Sequence, residues 1–185
     1  MALNKSAVVD TALDLLREAG LPGMSMRTLA TRLHVQASAL YWHFPSKQAL
    51  LTAVAERVLA SVAPVEAGGG VDGTGVYGSA AEELRAVGRA LKVAVTDVPD
   101  GAEIVALGLA AGAVNPVARA VEVTCERYGL EGRARGLTTA MTAYVLGLAL
   151  EEQTHHNLTA ADPTMPGVEF APRFEEGLEA LLAGC

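Results

Sequence analysis

The sequence predicts an all-α protein built from two helical domains. Only 8 of its 185 residues are aromatic, while Ala and Leu are abundant, a composition that favours helices over strands. Apolar residues recur at helical spacing along most of the chain. Six glycines between Gly68 and Gly78 interrupt this pattern and predict a linker, which separates a domain at 1–63 from a domain at 76–185.

The first domain begins with an amphipathic helix. Val9, Leu13 and Leu16 share one face of it, while Asn4 is placed to cap its start and Gly20 to end it. Leu21-Pro22-Gly23 is predicted to be a turn.

Three further helices are predicted in this domain. They cover 25–33, capped by Ser25, then 37–44, then a stretch that Ser46 caps and that runs to about Val62. The break between the two short helices at 34–36 is only three residues long. Such a pair indicates a helix-turn-helix motif.

Charge is distributed unevenly along the chain. Residues 1–63 carry six Lys or Arg against four acids, whereas the rest is strongly acidic and brings the net charge to −7. We therefore expect only the first domain to meet a polyanion. The longest uncharged runs have 15 residues, and a membrane span needs about 20, so no membrane partner is expected. The absence of a signal peptide and the presence of only two cysteines, Cys125 and Cys185, predict a cytoplasmic protein.

The tetrad Tyr41-Trp42-His43-Phe44 contains three of the eight aromatic residues. Four consecutive positions of a helix point in all directions, so some of these side chains must be exposed. Exposed aromatic groups in a basic segment indicate a binding surface. The alternative is that Leu40 and Phe44 are core residues and the others are amphipathic filler.

Residues 3–60 resemble the DNA-binding domain of the tetracycline-repressor (TetR) family of bacterial transcription regulators. The resemblance rests on the segments Ala12–Leu16, Met26–Ala30, Leu40–Phe44 and Lys47–Leu51, together with Gly20, Leu33 and Val35. Trp42 brings the chain closest to the tetracycline repressors proper. His34 stands where the family usually has Gly in the turn.

The resemblance implies that the third helix is a recognition helix, which enters the major groove of double-stranded operator DNA. Arg27 would reach a guanine edge and Lys47 a phosphate. The small side chains at 37–39 imply few direct hydrogen bonds to base edges, so that DNA shape has a larger part in recognition. The complete set of expected DNA-binding residues is Arg27, Thr28, Ala37, Ser38, Ala39, Tyr41, Trp42, His43 and Lys47.

The second domain reads as five helices, at 79–97, 103–114, 117–128 and 133–155, with a last one after the loop 161–167. Leu137, Met141, Tyr144 and Leu148 form a 4-3-4 stripe, and the last helix carries another from Phe174 to Leu181. These two apolar helices fit the family's dimer interface, a four-helix bundle, and imply a homodimer. The alternative is that both stripes form the core of the domain itself.

A small-molecule effector is the second partner that the resemblance implies. Glu151 matches a Glu that helps hold a drug-bound magnesium ion in the tetracycline repressor, but the matching His falls near Val105 or Ala106. Magnesium–tetracycline is therefore not expected. We expect an apolar or aromatic effector, with Val105, Tyr128, Tyr144 and Glu151 at its site.

The chain offers no clear metal, cofactor or catalytic site. Glu151 and Glu152 stand four residues before His155 and His156, but two such pairs side by side do not make four convergent ligands. These four residues are predicted to form a solvated helix end, and a metal site is the alternative. No phosphate loop, Cys pair or nucleophile with a matched base is present.

The sequence thus predicts a ligand-responsive transcriptional repressor, not an enzyme. It would bind a palindromic operator as a homodimer and leave it when the effector binds. The alternatives are an all-α enzyme with a cofactor in its apolar bundle, or a helical adaptor that binds proteins. Few acid or base residues support the first alternative, and the basic segment with its aromatic tetrad argues against the second.

Overall fold

The computed structural model describes residues 3–62 and 78–185, and every regular element within those two ranges is helical. The predicted all-α fold class is confirmed. The glycine tract lies largely outside the described residues, so the linker and the domain limits 1–63 and 76–185 stay a prediction. None of the helices described here is both long enough and apolar enough to cross a bilayer.

The chain groups into two compact units that do not simply follow one another along the sequence. The first unit combines Met1–Val58 with Val95–Val114, and the second combines Leu59–Ala94 with Asn115–Cys185. The helices of the described ranges are α1 (Lys5–Gly23), α2 (Met26–Arg32), α3 (Ala37–His43), α4 (Lys47–Leu59), α5 (Ala80–Thr96), α6 (Gly101–Ala110), α7 (Pro116–Tyr128), α8 (Ala134–Ala161) and α9 (Phe170–Leu182), with a 3-10 turn at Glu131–Arg133.

Helix α1 starts as expected and breaks at Gly20, the residue predicted to end it. The Asn4 side chain accepts a hydrogen bond from Ala7 N at 2.9 Å and so caps the helix. Gly20 has φ +62° and kinks α1, after which helical structure resumes and continues to Gly23. The regular helix thus breaks at Gly20, where its end was predicted, and 21–23 follow as one short helical turn that Met24 N closes by donating to Leu21 O at 3.3 Å.

The kink of α1 is held by the segment that precedes α6. Leu21 N donates to Asp100 Oδ2 at 2.6 Å, and Arg17 pairs with Asp97 at 2.9 Å. A β-carbon at residue 20 would lie 2.9 Å from Asp100 Oδ2. Gly20 therefore satisfies two demands at once, a positive φ and a close approach.

Helix α6 packs on α4 within the first unit. Gly108 lies so close to Ala55 that a β-carbon there would overlap it, and Val114 N donates to Glu56 Oε1 at 3.0 Å. The helix ends at Ala110, four residues before the predicted end at Val114, and the chain then passes Gly112 at φ +88°.

The apolar stripes of α8 and α9 are buried inside the second unit. Leu137, Met141 and Leu148 of α8 are buried, and so are Phe174 and Leu178 of α9. The expectation that these stripes face a partner subunit is wrong, because they form the core of the unit, which is the alternative the sequence left open. Helix α8 also runs six residues beyond its predicted end at His155.

Candidate nucleic-acid interface and ligand site

A short turn joins α2 to α3 and fixes their relation. Ser25 Oγ accepts from Thr28 N at 3.0 Å and caps α2. His34 takes a left-handed backbone with φ +55°, and Val35 N closes the turn by donating to Ala30 O at 3.0 Å. His34 therefore has the conformation expected at a glycine position, at some cost in strain.

Helix α3 separates its side chains into an anchor and an exposed face. Leu40 and Phe44 are buried, whereas Tyr41 is 50 % exposed and Trp42 is 88 % exposed. Burying the two anchors fixes the helix on the first unit, so the exposed rings project from a rigid base. The tetrad thus contains a core residue and an exposed aromatic surface, as predicted.

The remaining expected DNA-binding residues lie on the outer surface of α2, α3 and the start of α4. Arg27, Thr28 and Ser38 are exposed, and the others are half-buried at Ala37, Ala39, His43 and Lys47. Lys47 begins α4, where Ser46 Oγ accepts from Ala49 N at 3.0 Å.

Most acids of the first unit are paired with arginines. Asp10 binds Arg57 and Glu18 binds Arg32, and the second contact lowers the pKa of Glu18 and raises the pKa of Arg32, chiefly through their hydrogen bond. Among the residues that the structure describes, neither Arg27 nor Lys47 has an ion pair. Their charges therefore remain available to a polyanion.

Tyr128, expected at the effector site, lies beside a buried carboxylate. Its hydroxyl donates to Glu83 Oε1 at 3.4 Å, and Arg127 pairs with the same oxygen. Burial, with Glu83 adding to it, raises the pKa of Tyr128. The polar partner Glu83 was missed by the sequence analysis, although its position one turn before Val87 on the buried face of α5 was a signal.

Tyr144 and Glu151, also expected at the effector site, lie on α8 and contact α9. Tyr144 Oη donates to Arg173 O at 2.9 Å and Phe174 O at 3.0 Å, and burial raises the pKa of this tyrosine. Glu151 pairs with Arg173 at 2.9 Å. Both side chains therefore hold α9 on α8.

The last expected effector residue, Val105, is fully buried in α6 of the first unit, whereas Tyr128, Tyr144 and Glu151 belong to the second. Near the end of α8, Glu152 pairs with Lys92, and the His155 ring packs against the Phe170 ring with their centroids 5.6 Å apart. No group of three His, Cys, Asp or Glu that could hold a metal occurs in the described part of the chain.

The outer face of α8 carries small and apolar residues. We call this face the α8 stripe; it repeats at spacings of four and three and consists of Gly136, Ala140, Ala143, Gly147, Leu150 and Thr154, all exposed. A groove of about 430 Å³ begins at its end and includes the exposed side chains of Leu158 and Val168. Small side chains at this spacing allow a second helix to approach closely.

A family model described as "Bacterial regulatory proteins, tetR family" matches residues 8–54. Tetracycline repressor protein class C of Escherichia coli is 54 % identical over 57 residues, which are 31 % of this chain and 26 % of that repressor. The chain thus matches about a quarter of the length of such curated relatives.

Solved structures match the whole chain. A single-residue variant of TetR from Acinetobacter baumannii AYE, in complex with minocycline, is 32 % identical with a TM-score of 0.75, covering 99 % of this chain and 96 % of that one. BioQ with its double-stranded DNA operator is 29 % identical with a TM-score of 0.69, covering 99 % and 98 %.

Proposed function

Because the chain belongs to the TetR family of bacterial regulatory proteins, we propose that it is a transcriptional repressor that binds an operator as a homodimer and releases it on binding a small molecule. The observation that carries this proposal is the exposed aromatic face of α3, together with Arg27 of α2 and Lys47 of α4, which have no ion pair among the described residues. A buried anchor beneath exposed rings suits a helix that enters the major groove. The solved complex of BioQ with its operator supports the same reading.

We call the surface formed by the expected DNA-binding residues of α2, α3 and the start of α4 the reading head. Each of these residues has a role that suits its chemistry. The Arg27 guanidinium forms two parallel hydrogen bonds to a guanine, and Lys47 neutralises a phosphate at the start of α4. Tyr41 and His43 donate to phosphate oxygens, and Trp42 packs against the DNA backbone. Thr28 adds a hydroxyl beside Arg27.

The small residues at 37–39 affect how the operator is recognised. Ala37 and Ala39 permit close approach and contact with thymine methyl groups, and Ser38 alone of the three offers a side-chain hydrogen bond. Sequence is then read partly through DNA shape and deformability.

The homodimer forms through the α8 stripe. The inner faces of α8 and α9 are already used by the core, so the outer face is the one left for a second copy. Two copies of α8 and α9 would make a four-helix bundle. The dimer is needed because two half-sites of a palindromic operator require two reading heads.

The effector is a small, largely apolar or aromatic molecule. The Acinetobacter relative was solved in complex with minocycline. In this chain, however, Val105 stands near the position at which the tetracycline repressor has its metal-binding His, and Glu151 is paired with Arg173. A valine offers magnesium no ligand, so magnesium–tetracycline is not the effector we propose. A regulator of this kind acts on the chromosome, in the cytoplasm, and we assign it no catalytic role.

Selection of bound fragments from the source genome tests the proposal. The full-length chain should enrich a palindromic sequence and bind it about 10³-fold or more tightly than random duplex at the same salt concentration. The logarithm of the affinity should fall linearly with the logarithm of salt concentration. Equal recovery of all fragments, or binding that does not respond to salt, would contradict a DNA-binding role.

A further inference from the structure

Three buried side-chain oxygens have no hydrogen-bond partner in the part of the chain that the structure describes. They are Glu83 Oε2, Thr124 Oγ1 and Thr142 Oγ1. All three belong to the second unit, on α5, α7 and α8. Buried polar atoms are nearly always paired, so each exception requires an explanation.

Of these three atoms, Glu83 Oε2 is the most costly to bury without a hydrogen-bond donor. The residue is only 3 % exposed, and its Oε1 is occupied by Arg127 and by the Tyr128 hydroxyl. Arg127 neutralises the charge, which makes the burial tolerable. The second oxygen, Oε2, retains its lone pairs in a low-dielectric environment, where an acceptor without a donor is costly.

Thr124 departs from the behaviour of most helical threonines in the described ranges. Six helical threonines donate to a backbone oxygen one turn earlier, namely Thr11, Thr31, Thr52, Thr139, Thr154 and Thr159. Thr124 is almost fully buried and makes no such bond. It precedes Arg127 and Tyr128 by three and four residues, so it lies on the face of α7 that meets Glu83.

We infer that Glu83 and Thr124 are the polar end of the effector site and bind an uncharged ligand through a hydroxyl or amide N–H group. The ligand donates to Glu83 Oε2, and the Thr124 hydroxyl donates to an acceptor on the ligand. A carboxylate is disfavoured, because its oxygens would face the lone pairs of Oε2. The regulatory meaning of the site rests on the proposed function, whereas the binding itself does not.

Matched pairs of aromatic fragments test this chemistry directly. Benzamide and phenol each carry a donor, whereas N,N-dimethylbenzamide and anisole have the same ring without one. Dissociation constants are measured by ligand-observed NMR on the full-length protein without DNA. The donor member of each pair should bind about tenfold more tightly, the range expected for a hydrogen bond to a charged group. Equal binding within both pairs would overturn the inference.

Glu83→Gln gives the sharper control. Arg127 and Tyr128 both donate, so the glutamine oxygen should turn toward them and its NH₂ group should replace Oε2. The site then presents a donor, and the preference for phenol and benzamide should vanish or reverse. A folded variant that keeps the tenfold preference would show that the donor is recognised elsewhere.

Thr124→Val covers the case in which Glu83→Gln fails to fold. This variant should weaken benzamide and N,N-dimethylbenzamide alike, because both present a carbonyl, and leave their ratio unchanged. Thr11→Val is the matched control, since Thr11 already donates to Ala7 O in the first unit; it should not alter fragment binding. Unchanged carbonyl binding in Thr124→Val would contradict the assignment of Thr124.

Operator binding of the wild type, measured separately, distinguishes the two proposals. Operator binding without a donor preference would refute the ligand site alone. A donor preference without operator binding would refute the proposed function alone.

Discussion

Trp42 carries an indole that is 88 % exposed, on a helix whose neighbouring anchors Leu40 and Phe44 are buried. Tryptophan usually buries most of its surface, so an isolated exposed indole on a rigid helix indicates a contact made with something else. Within the described residues of the first unit, Arg17, Arg32 and Arg57 are paired with acids, whereas Arg27 and Lys47 are not. Residue chemistry thus concentrates the means of binding DNA on one small surface.

Arg27→Ala and Lys47→Ala should weaken DNA binding in different ways. Loss of a bidentate contact to guanine should cost about 1–3 kcal/mol, and only on operators that carry that guanine. Loss of a phosphate contact should weaken all duplexes alike and lower the salt slope by about one. Fluorescence anisotropy on operator and random duplex, over a range of salt concentrations, measures both effects.

Arg17→Ala is the control for these two variants, because its guanidinium is paired with Asp97 and lies near Asp14. It should change operator affinity little. If Arg27→Ala behaves like Arg17→Ala on a folded dimer, Arg27 does not read a base.

The two thiols should react at very different rates. Cys125 is fully buried, and burial raises the pKa of its thiol, so little thiolate forms and no reagent reaches it. Cys185 is partly exposed. Ellman's reagent at pH 8 should therefore titrate one thiol per chain in the native protein and two in denaturant. Rapid reaction of two thiols in the native state would show that α7 opens readily.

At the scale of the helices, sequence periodicity located every α-helix of the described ranges but not all their ends. Caps such as Asn4 and Ser25 could be predicted, because a short polar side chain before an apolar stripe has a local cause. The helical turn after Gly20 could not, because Leu21 N is held by Asp100, which is 79 residues away in sequence. The same holds for α6, whose close approach to Ala55 depends on tertiary packing.

The role of the α8 and α9 stripes shows a second limit. A 4-3-4 apolar pattern predicts that a helix packs on another helix, but it does not tell which chain supplies the partner. The inner stripe proved to serve the second unit itself, and the outer α8 stripe, apart from Leu150, consists of residues too small to stand out by hydrophobicity. For the candidate ligand site, Tyr128 was named from the sequence, whereas Glu83 needed the structure to reveal its burial.

Gly177 lies on α9 against Tyr144 of α8, so it provides a test of how these two helices pack. A β-carbon there would overlap the Tyr144 hydroxyl, which donates to Arg173 O and Phe174 O. Gly177→Ala should therefore destabilise the protein by about 1–3 kcal/mol, the usual effect of overpacking, despite alanine's better helix propensity. Urea unfolding followed by circular dichroism measures the change.

Gly132→Ala is the matched control, because no atom lies within 4 Å of the β-carbon it adds. Its effect should stay within about 0.5 kcal/mol. Equal stability of the two variants would mean that Tyr144 moves aside freely and does not hold α9.

For the whole molecule, the effector determines whether the chain is a tetracycline repressor in function or only in its DNA-binding region. Magnesium–tetracycline should neither raise the melting temperature nor release operator DNA, because Val105 stands near the His position and Glu151 is engaged by Arg173. Differential scanning fluorimetry and an operator-release assay measure both effects. Release that disappears on adding a magnesium chelator would show that another side chain has taken the place of the missing His.

The assembly of two chains is the last property on which operator binding depends. The full-length protein should be a dimer of about 38 kDa, twice the chain mass of 19.1 kDa, as measured by light scattering. Ala143→Arg places a long charged side chain in the middle of the α8 stripe, where a second helix must approach closely, and should give a folded monomer. Ala160→Arg makes the same change at an exposed position outside the stripe and should remain dimeric.

Because each reading head contacts only one half-site, the monomeric variant should also lose at least about tenfold in operator affinity while keeping its affinity for random duplex nearly unchanged. A dimeric Ala143→Arg protein with full operator affinity would place the interface elsewhere on the second unit.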